Sequence, residues 1–104
     1  MSDERVSDAE AASALRVVRN DDRARYEGHI EGELTTVVDF RRQGDVLVVT
    51  HTGTESHWRG HGLASETTRL ALEDVRREGL RVQPLCPFTV DYVEQHPEVQ
   101  DLLA

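Results

Sequence analysis

The sequence predicts an α+β (α/β-type) domain: a mostly antiparallel five-stranded sheet flanked by helices, in the order β-β-β-β-α-β-α. Three observations carry the prediction. Four short runs rich in β-branched and apolar residues follow one another between residues 15 and 50, parted only by turn-forming clusters. Over residues 63–77 the apolar period changes from two to that of a helix. A further β-type run over residues 80–85 then meets Pro87, which suits the first turn of another helix. The chain has 104 residues, the length of one domain. A domain of that size buries roughly two-thirds of its unfolded surface, enough to fold without a disulfide or a metal.

Residues 1–13 are polar and Ala-rich without a clear period. They read as a flexible tail, either loose or a frayed helical arm, with the domain proper over residues 14–104. Leu15-Arg16-Val17-Val18 forms the first strand, and Asn20-Asp21-Asp22 is a turn cluster. Ala24, Tyr26, Gly28 and Ile30 alternate with Arg25, Glu27, His29 and Glu31, the pattern of a strand with one wet face. Residues 34–40 are a third strand, and Arg41-Arg42-Gln43-Gly44-Asp45 turns the chain. Val46-Leu47-Val48-Val49-Thr50 is the most continuous apolar run and reads as a central strand covered on both faces. Short turns make these four an antiparallel meander. In the following helix Leu63, Thr67, Leu70, Ala71 and Val75 share a stripe, Glu73 and Arg77 stand at i,i+4, and Gly79 occupies the place of a left-handed cap. A second helix runs from Pro87 to about His96, and residues 97–103 suit a final helical turn.

Composition excludes several functions. Twenty acidic residues face 12 basic ones, a net charge of −8, and all the basic residues are Arg. A nucleic-acid binder needs a basic face to neutralise phosphates, so nucleic acid is not an expected partner, and a cationic partner suits the balance better. No apolar run approaches the ~20 residues of a membrane span, so no membrane partner is expected. The N-terminus is acidic and no hydrophobic stretch follows it, which leaves no visible signal peptide. The single Cys, Cys86, excludes an internal disulfide framework and fits a reducing, cytoplasmic setting.

The chemistry concentrates between the fourth strand and the long helix, in His51-Thr52-Gly53-Thr54-Glu55-Ser56-His57-Trp58-Arg59-Gly60-His61-Gly62-Leu63-Ala64. Glycines opening a helix directly after a central strand present unpaired backbone N–H groups and the positive end of the helix dipole, an anion site for phosphates. Spacing alone is equally consistent with a Gly-rich turn that caps a helix, since neither the dinucleotide fingerprint nor a Gly-Lys-Ser/Thr ending is present.

Arg59-x-x-Gly62-x-Ala64 resembles the Gln/Arg-x-x-Gly-x-Gly/Ala signature of the GNAT superfamily of acyl-CoA-dependent N-acetyltransferases, at the same strand-to-helix junction. The likeness extends to a subgroup of short stand-alone GNAT-like proteins through three further features. These are His51-Thr52, the segment Pro84-Leu85-Cys86-Pro87-Phe88 and the C-terminal stretch from His96-Pro97-Glu98 to Leu102-Leu103. It covers roughly residues 14–103.

The resemblance implies a sheet splayed between strands 4 and 5. Acetyl-CoA, a substrate rather than a resident cofactor, enters that split with its pyrophosphate on Arg59, Gly60, His61, Gly62, Leu63 and Ala64. Its pantetheine arm then runs beside Val49, Thr50, His51 and Thr52. The expected reaction is direct acetyl transfer in a ternary complex to a primary amine, either a small cationic amine or a protein lysine or N-terminus. A non-catalytic acyl-CoA-binding or regulatory module is the alternative. The expected assembly is a monomer or weak homodimer. The helical pair usual between the first two strands of larger GNAT enzymes has no room between Asn20 and Arg23, which leaves the acceptor side open.

Three side chains are catalytic candidates. Cys86 adjoins or occupies the N-cap of the second helix, where the helix dipole favours a thiolate; proton transfer, a transient acyl-thioester and a small buried hydrophobe all remain open for it. His51 ends the fourth strand, and an imidazole ordinarily titrates near ~6.5, suited to accepting an ammonium proton; binding a backbone carbonyl is the alternative. Tyr92 matches the region where larger GNAT enzymes carry a Tyr that reprotonates the leaving thiolate, and is equally good packing material. Glu55 acting through a water ranks behind these. His57 and His61 at i,i+4 invite a zinc reading, but no further ligand joins them at metal-site spacing, so no metal is expected. Trp58 reads as a hydrophobic clamp over the loop, and Arg69, Arg76 and Arg77 as a solvated helix face.

Overall fold

The computed structural model describes residues 7–104. Its elements in chain order are α1 (Asp8–Ala14), β1 (Arg16–Asn20), β2 (Arg25–Ile30), β3 (Glu33–Gln43), β4 (Val46–Thr54), α2 (Leu63–Arg77), β5 (Arg81–Pro84) and α3 (Pro87–Gln95). Two 3₁₀ turns, Ser56–Trp58 and Pro97–Leu102, complete them. The five-stranded sheet has the order β1-β2-β3-β4-β5. The first four strands form the expected antiparallel meander. The crossover through α2 returns the chain to the same end of the sheet, so β5 lies parallel to β4.

Two strands outrun their expected lengths. β3 continues to Gln43 and β4 to Thr54, because Arg41, Arg42 and Gln43 pair with Val48, Leu47 and Val46, and Thr52, Gly53 and Thr54 pair with Val38, Val37 and Thr36. Backbone ladders need no apolar side chains, so hydrophobic runs mark the buried middle of a strand and miss its polar ends. His51 therefore lies within β4 and does not end it. Between the Asp39–His51 and Phe40–Val49 pairs Thr50 is an extra residue, a bulge in β4.

Of the tail expected over residues 1–13, residues 1–6 lie outside the described residues. Asp8–Ala14 is docked rather than free, for two reasons. Ser7 and Glu10 form a reciprocal capping box, each side chain accepting the other's backbone N–H at 3.1 Å. Ala11 is fully buried in a small cluster with Leu15, Ile30 and Leu63, against which Val17, Trp58 and Leu70 pack.

α2 lies across the sheet. Its buried side is Leu63, Thr67, Thr68, Ala71, Leu72 and Val75, so Thr68 and Leu72 join the expected stripe and Leu70 is only half-buried. Of these, Ala71, Leu72 and Val75 meet Tyr26, Val38, Phe40, Leu47 and Val49 in the main core. Small residues line the closest approach: the Thr36 and Thr67 hydroxyls bond at 2.6 Å beside Gly28. At the far end Asp74 accepts the Tyr26 O–H at 2.7 Å and the Arg19 guanidinium at 2.8 Å, tying α2 to β1 and β2. Burial and the Asp74 carboxylate push the Tyr26 phenol well up, so it stays a donor. The expected Glu73–Arg77 pair is replaced. Arg69 holds Glu66 and Glu73, and Arg77 reaches Asp74. Arg76 leaves the helix to grip Asp101 through both terminal nitrogens, at 2.7 and 2.9 Å, fastening the C-terminal turn.

On the other face of the sheet Glu27 is buried and accepts from Arg25, Asn20 and the His29 ring. The Arg25 hydrogen bond, opposed by burial and helped by His29, holds its carboxyl below the usual range. A depressed carboxyl contributes stability above its unfolded pKa, about 4.3, and that stability is lost as the pH falls through the lower folded value. Glu27→Gln is therefore expected to flatten the acid side of the stability profile. Urea midpoints at pH 7 and pH 3 should differ less than in the wild type; an equal difference refutes this role.

Candidate functional site

The pairing of β4 with β5 stops at Val49 and Pro84. Beyond it β4 continues to Thr54 while the other chain turns into α3, so the sheet splits there, as expected. At the apex the Val49 carbonyl accepts two N–H groups, from Leu85 at 2.8 Å and Cys86 at 3.0 Å. Glu55 N–H donates to the Thr35 carbonyl at 2.8 Å, which sets the antiparallel alternation. His51 and Gly53 then turn their backbone groups to β3, while Thr52 and Thr54 turn theirs into the split.

The split opens on the start of α2. Gly62 is its N-cap, left-handed at φ 74°, and supplies no side-chain cap. The N–H groups of Leu63, Ala64 and Ser65 take no acceptor among the described residues, the first helical bond being Glu66 N–H to Gly62 C=O at 3.2 Å. Gly60 is left-handed too, at φ 84°, and a side chain added at either glycine would meet open space within 4 Å. The surface is thus bare backbone with donors outward, which fits an anion at the positive end of a 15-residue helix. Arg59 is exposed at the loop's start, and its Nε donates to the Thr54 carbonyl at 3.3 Å. His61 faces the N-terminal helix, 3.0 Å from Asp8. Trp58 packs on the cluster that includes Leu63 and gives its indole N–H to Glu33 at 2.9 Å, so it clamps the loop as expected.

A cleft of about 580 Å³ follows this path, lined among others by His51, Thr52, Thr54, Arg59, Ala64 and Phe88. The structure does not gather the three catalytic candidates at one point. Cys86 is the N-cap of α3 and is buried, its thiol donating to Thr52 Oγ1 at 3.7 Å across the split. Burial pushes the thiol up, but the Thr52 hydroxyl and the polar groups of Thr89 and Phe88 at the start of α3 together outweigh it and hold the thiol below its ordinary value. His51 is exposed and belongs to the opposite face of β4 from Thr52, since neighbouring strand residues alternate. Its Nε2 lies only 3.2 Å from where a Gly53 Cβ would stand, so the ring folds over that glycine.

Tyr92 lies outside the cleft lining. It is buried and stacked on His96, with ring centres 3.8 Å apart and planes 12° apart. Burial, reinforced by Glu98, pushes its phenol up. Thr89 escaped the reading of the sequence, and Phe88 entered it only within the Pro84–Phe88 segment, with no role in the site: Phe88 lines the cleft, and Thr89 is buried one turn beyond Cys86. Their position directly after Cys86-Pro87 at a helix start was the available signal. Among the described residues no group of His, Cys, Asp and Glu is arranged to hold a metal ion, and no helix is long and apolar enough to cross a membrane.

A meander whose fourth strand parts from the fifth at the start of a glycine-opened helix defines an α+β domain of the GNAT type. The chain belongs to the GCN5-related N-acetyltransferase family, which it matches over residues 25–102. Among solved structures it is similar to a GCN5-like protein from Staphylococcus aureus determined in solution by NMR. The TM-score is 0.65 at 19% identity, covering 88% of this chain and 90% of that one, a likeness of fold. No curated protein matches the chain significantly in sequence.

Proposed function

We propose that this protein transfers an acetyl group from acetyl-CoA to a primary amine in a ternary complex. The observation that carries the reading is a split sheet leading straight to an uncapped helix N-terminus, in a chain of this family. The pyrophosphate sits on the N–H groups of residues 63–65 with Gly60, His61 and Gly62 beneath it, and Arg59 adds positive charge. The pantetheine amides bond the outward backbone of Thr52 and Thr54, which puts the thioester at the apex by Val49, Thr50 and Cys86. The amine attacks from the His51 side, and the imidazole takes the proton released as the C–N bond forms. The acceptor is a cationic amine, in keeping with a net charge of −8. The same charge repels CoA at long range, so the loop donors and Arg59 must overcome it locally.

A thiol-release assay with acetyl-CoA and a panel of amines tests the proposal, alongside calorimetry with CoA. Turnover with one or more cationic amines supports it. Tight CoA binding with no turnover for any amine identifies a non-catalytic acyl-CoA-binding module instead, and failure to bind CoA removes both readings. His51→Gln is expected to lower kcat by about 100-fold and to abolish the acid-side fall of the pH–rate profile, because a base must be unprotonated to act. An unchanged profile excludes His51 as the base.

A further inference from the structure

Taking acetyl transfer as the reaction, we propose that Thr52 is a catalytic hydroxyl relay, passing a proton from Cys86 to the departing CoA sulfur, and that Thr89 positions and tunes Cys86 as the acid. Cys86 does not line the cleft, whereas Thr52 does. The Cys86 thiol already donates to Thr52 Oγ1 at 3.7 Å, which leaves the Thr52 O–H free to donate into the cleft. Three residues on from Cys86 in α3, Thr89 is 1% exposed and its buried hydroxyl has no hydrogen-bond partner among the described residues. It lies within reach of Cys86, as do the N–H groups of Phe88 and Thr89 at the start of the nine-residue α3. A buried donor left without a partner is costly, and a sulfur that gains negative charge satisfies it. Thr89 is thus arranged for the thiolate that exists only after the proton has left.

The proton balance closes. The amine nitrogen attacks the thioester carbonyl, and its proton goes to His51. As the adduct collapses the C–S bond breaks and its electron pair stays on the CoA sulfur. Thr52 O–H gives that sulfur a proton and takes one from Cys86 S–H in the same movement. Cys86 remains as a thiolate held by Thr52, Thr89 and the two N–H groups, and solvent later exchanges its proton with that on His51. Around Cys86 few titratable groups compete. β4 offers His51 on its opposite face, and α3 offers the buried phenol of Tyr92. α2 turns Thr67 and Thr68 inward while Arg69 is held by Glu66 and Glu73. On β5 the Arg81 guanidinium bonds the carbonyls of Asp101 and Leu103.

Two measurements test this. Cys86 is the only cysteine, so thiolate absorbance of the free protein reports it alone, with no cofactor or activity needed. Thr89→Val is expected to move its titration up by about one pH unit, and Thr89→Ser to restore it. In turnover, Thr52→Val is expected to lower kcat about 100-fold with little change in KM for acetyl-CoA, and Thr52→Ser to recover most of it. An acid must be protonated, so the alkaline fall of kcat should follow the thiol titration and shift upward in Thr89→Val. Unchanged thiol titration in Thr89→Val overturns the tuning role. Wild-type kcat in Thr52→Val, or equal losses in Thr52→Val and Thr52→Ser, overturns the relay. If Thr89→Val does not fold, Thr89→Ser and Thr52→Val decide. If no amine is a substrate, acetyl transfer itself fails while the titrations still judge the acid site.

Discussion

Gly28→Ala is expected to destabilise the domain by about 3 kcal/mol or more, a larger effect than most surface substitutions produce. A Cβ at this position would stand 2.2 Å from Thr36 Oγ1, 2.9 Å from Thr67 Oγ1 and 3.0 Å from Leu15 Cδ1. Real side chains do not approach so closely, so the helix must lift from the sheet or the Thr36–Thr67 hydrogen bond must break. Both Thr residues are essentially unexposed, and neither has room to rotate into solvent. Breaking their bond leaves the buried Thr67 hydroxyl unpaired and Thr36 with only a 3.5 Å contact to Thr35 Oγ1, adding to the steric cost. The check is the urea midpoint at constant m-value. Gly28→Ala combined with Thr36→Ala should lose less than the sum of the single effects, because the nearest clash is then gone. A midpoint close to that of the wild type would show that α2 tolerates a wider spacing than its contacts indicate.

Gly62→Val is expected to weaken acetyl-CoA binding by about 100-fold, the loss of hydrogen bonds to charged oxygens at one subsite. Gly62 holds φ 74°, a conformation that a β-branched residue adopts only with strain, so the cap must also reorganise. In the free protein the added Cβ meets no atom within 4 Å. Stability should therefore fall by only about 1–2 kcal/mol, the backbone term alone. The branched side chain would instead stand where, on the proposed acetyl-CoA site, phosphate oxygens would approach the N–H groups of residues 63–65. Calorimetry with acetyl-CoA and a thermal melt separate the two effects. Unchanged affinity in a folded Gly62→Val protein would move the phosphate site elsewhere.

These glycines differ in how visible they were. Gly60 and Gly62 stand out in a sequence because two glycines between a strand and a helix point to left-handed backbone and open donors, both local properties. Gly28 looks like one small residue in an alternating strand. Its constraint comes from Thr36, eight residues on, and Thr67, 39 residues on, and no local pattern reveals that a helix passes there. The extension of β4 to Thr54 was hidden for a related reason: polar residues were held in the sheet by partners on β3 that hydrophobic runs do not mark. A helical arm was one of two readings of residues 1–13, but the docking of α1 was hidden, because its seven residues bury little beyond Ala11 and the contact depends on Leu15, Ile30 and Leu63.

The catalytic candidates divide along the same line. Placing Cys86 at a helix N-cap required only the following Pro87, and the structure puts it there. That its thiol meets Thr52, while His51 next door belongs to the other face of the strand, depends on how β4 and α3 diverge after Val49. Tyr92, one turn beyond Phe88, was as compatible with the cleft as with the core, and stacking on His96 puts it in the core.

By itself the sequence determined the order of strands and helices from β1 onward, the glycine-opened helix after the central strand and the position of Cys86 at a helix start. Each follows from neighbours within a turn or a hairpin, where side-chain period and backbone preference act directly. Only the tertiary structure decided which face each candidate joins, where the sheet splits, how closely α2 approaches β2 and which hydroxyl the thiol meets. Those depend on packing between segments far apart in the chain, and local preferences do not encode it.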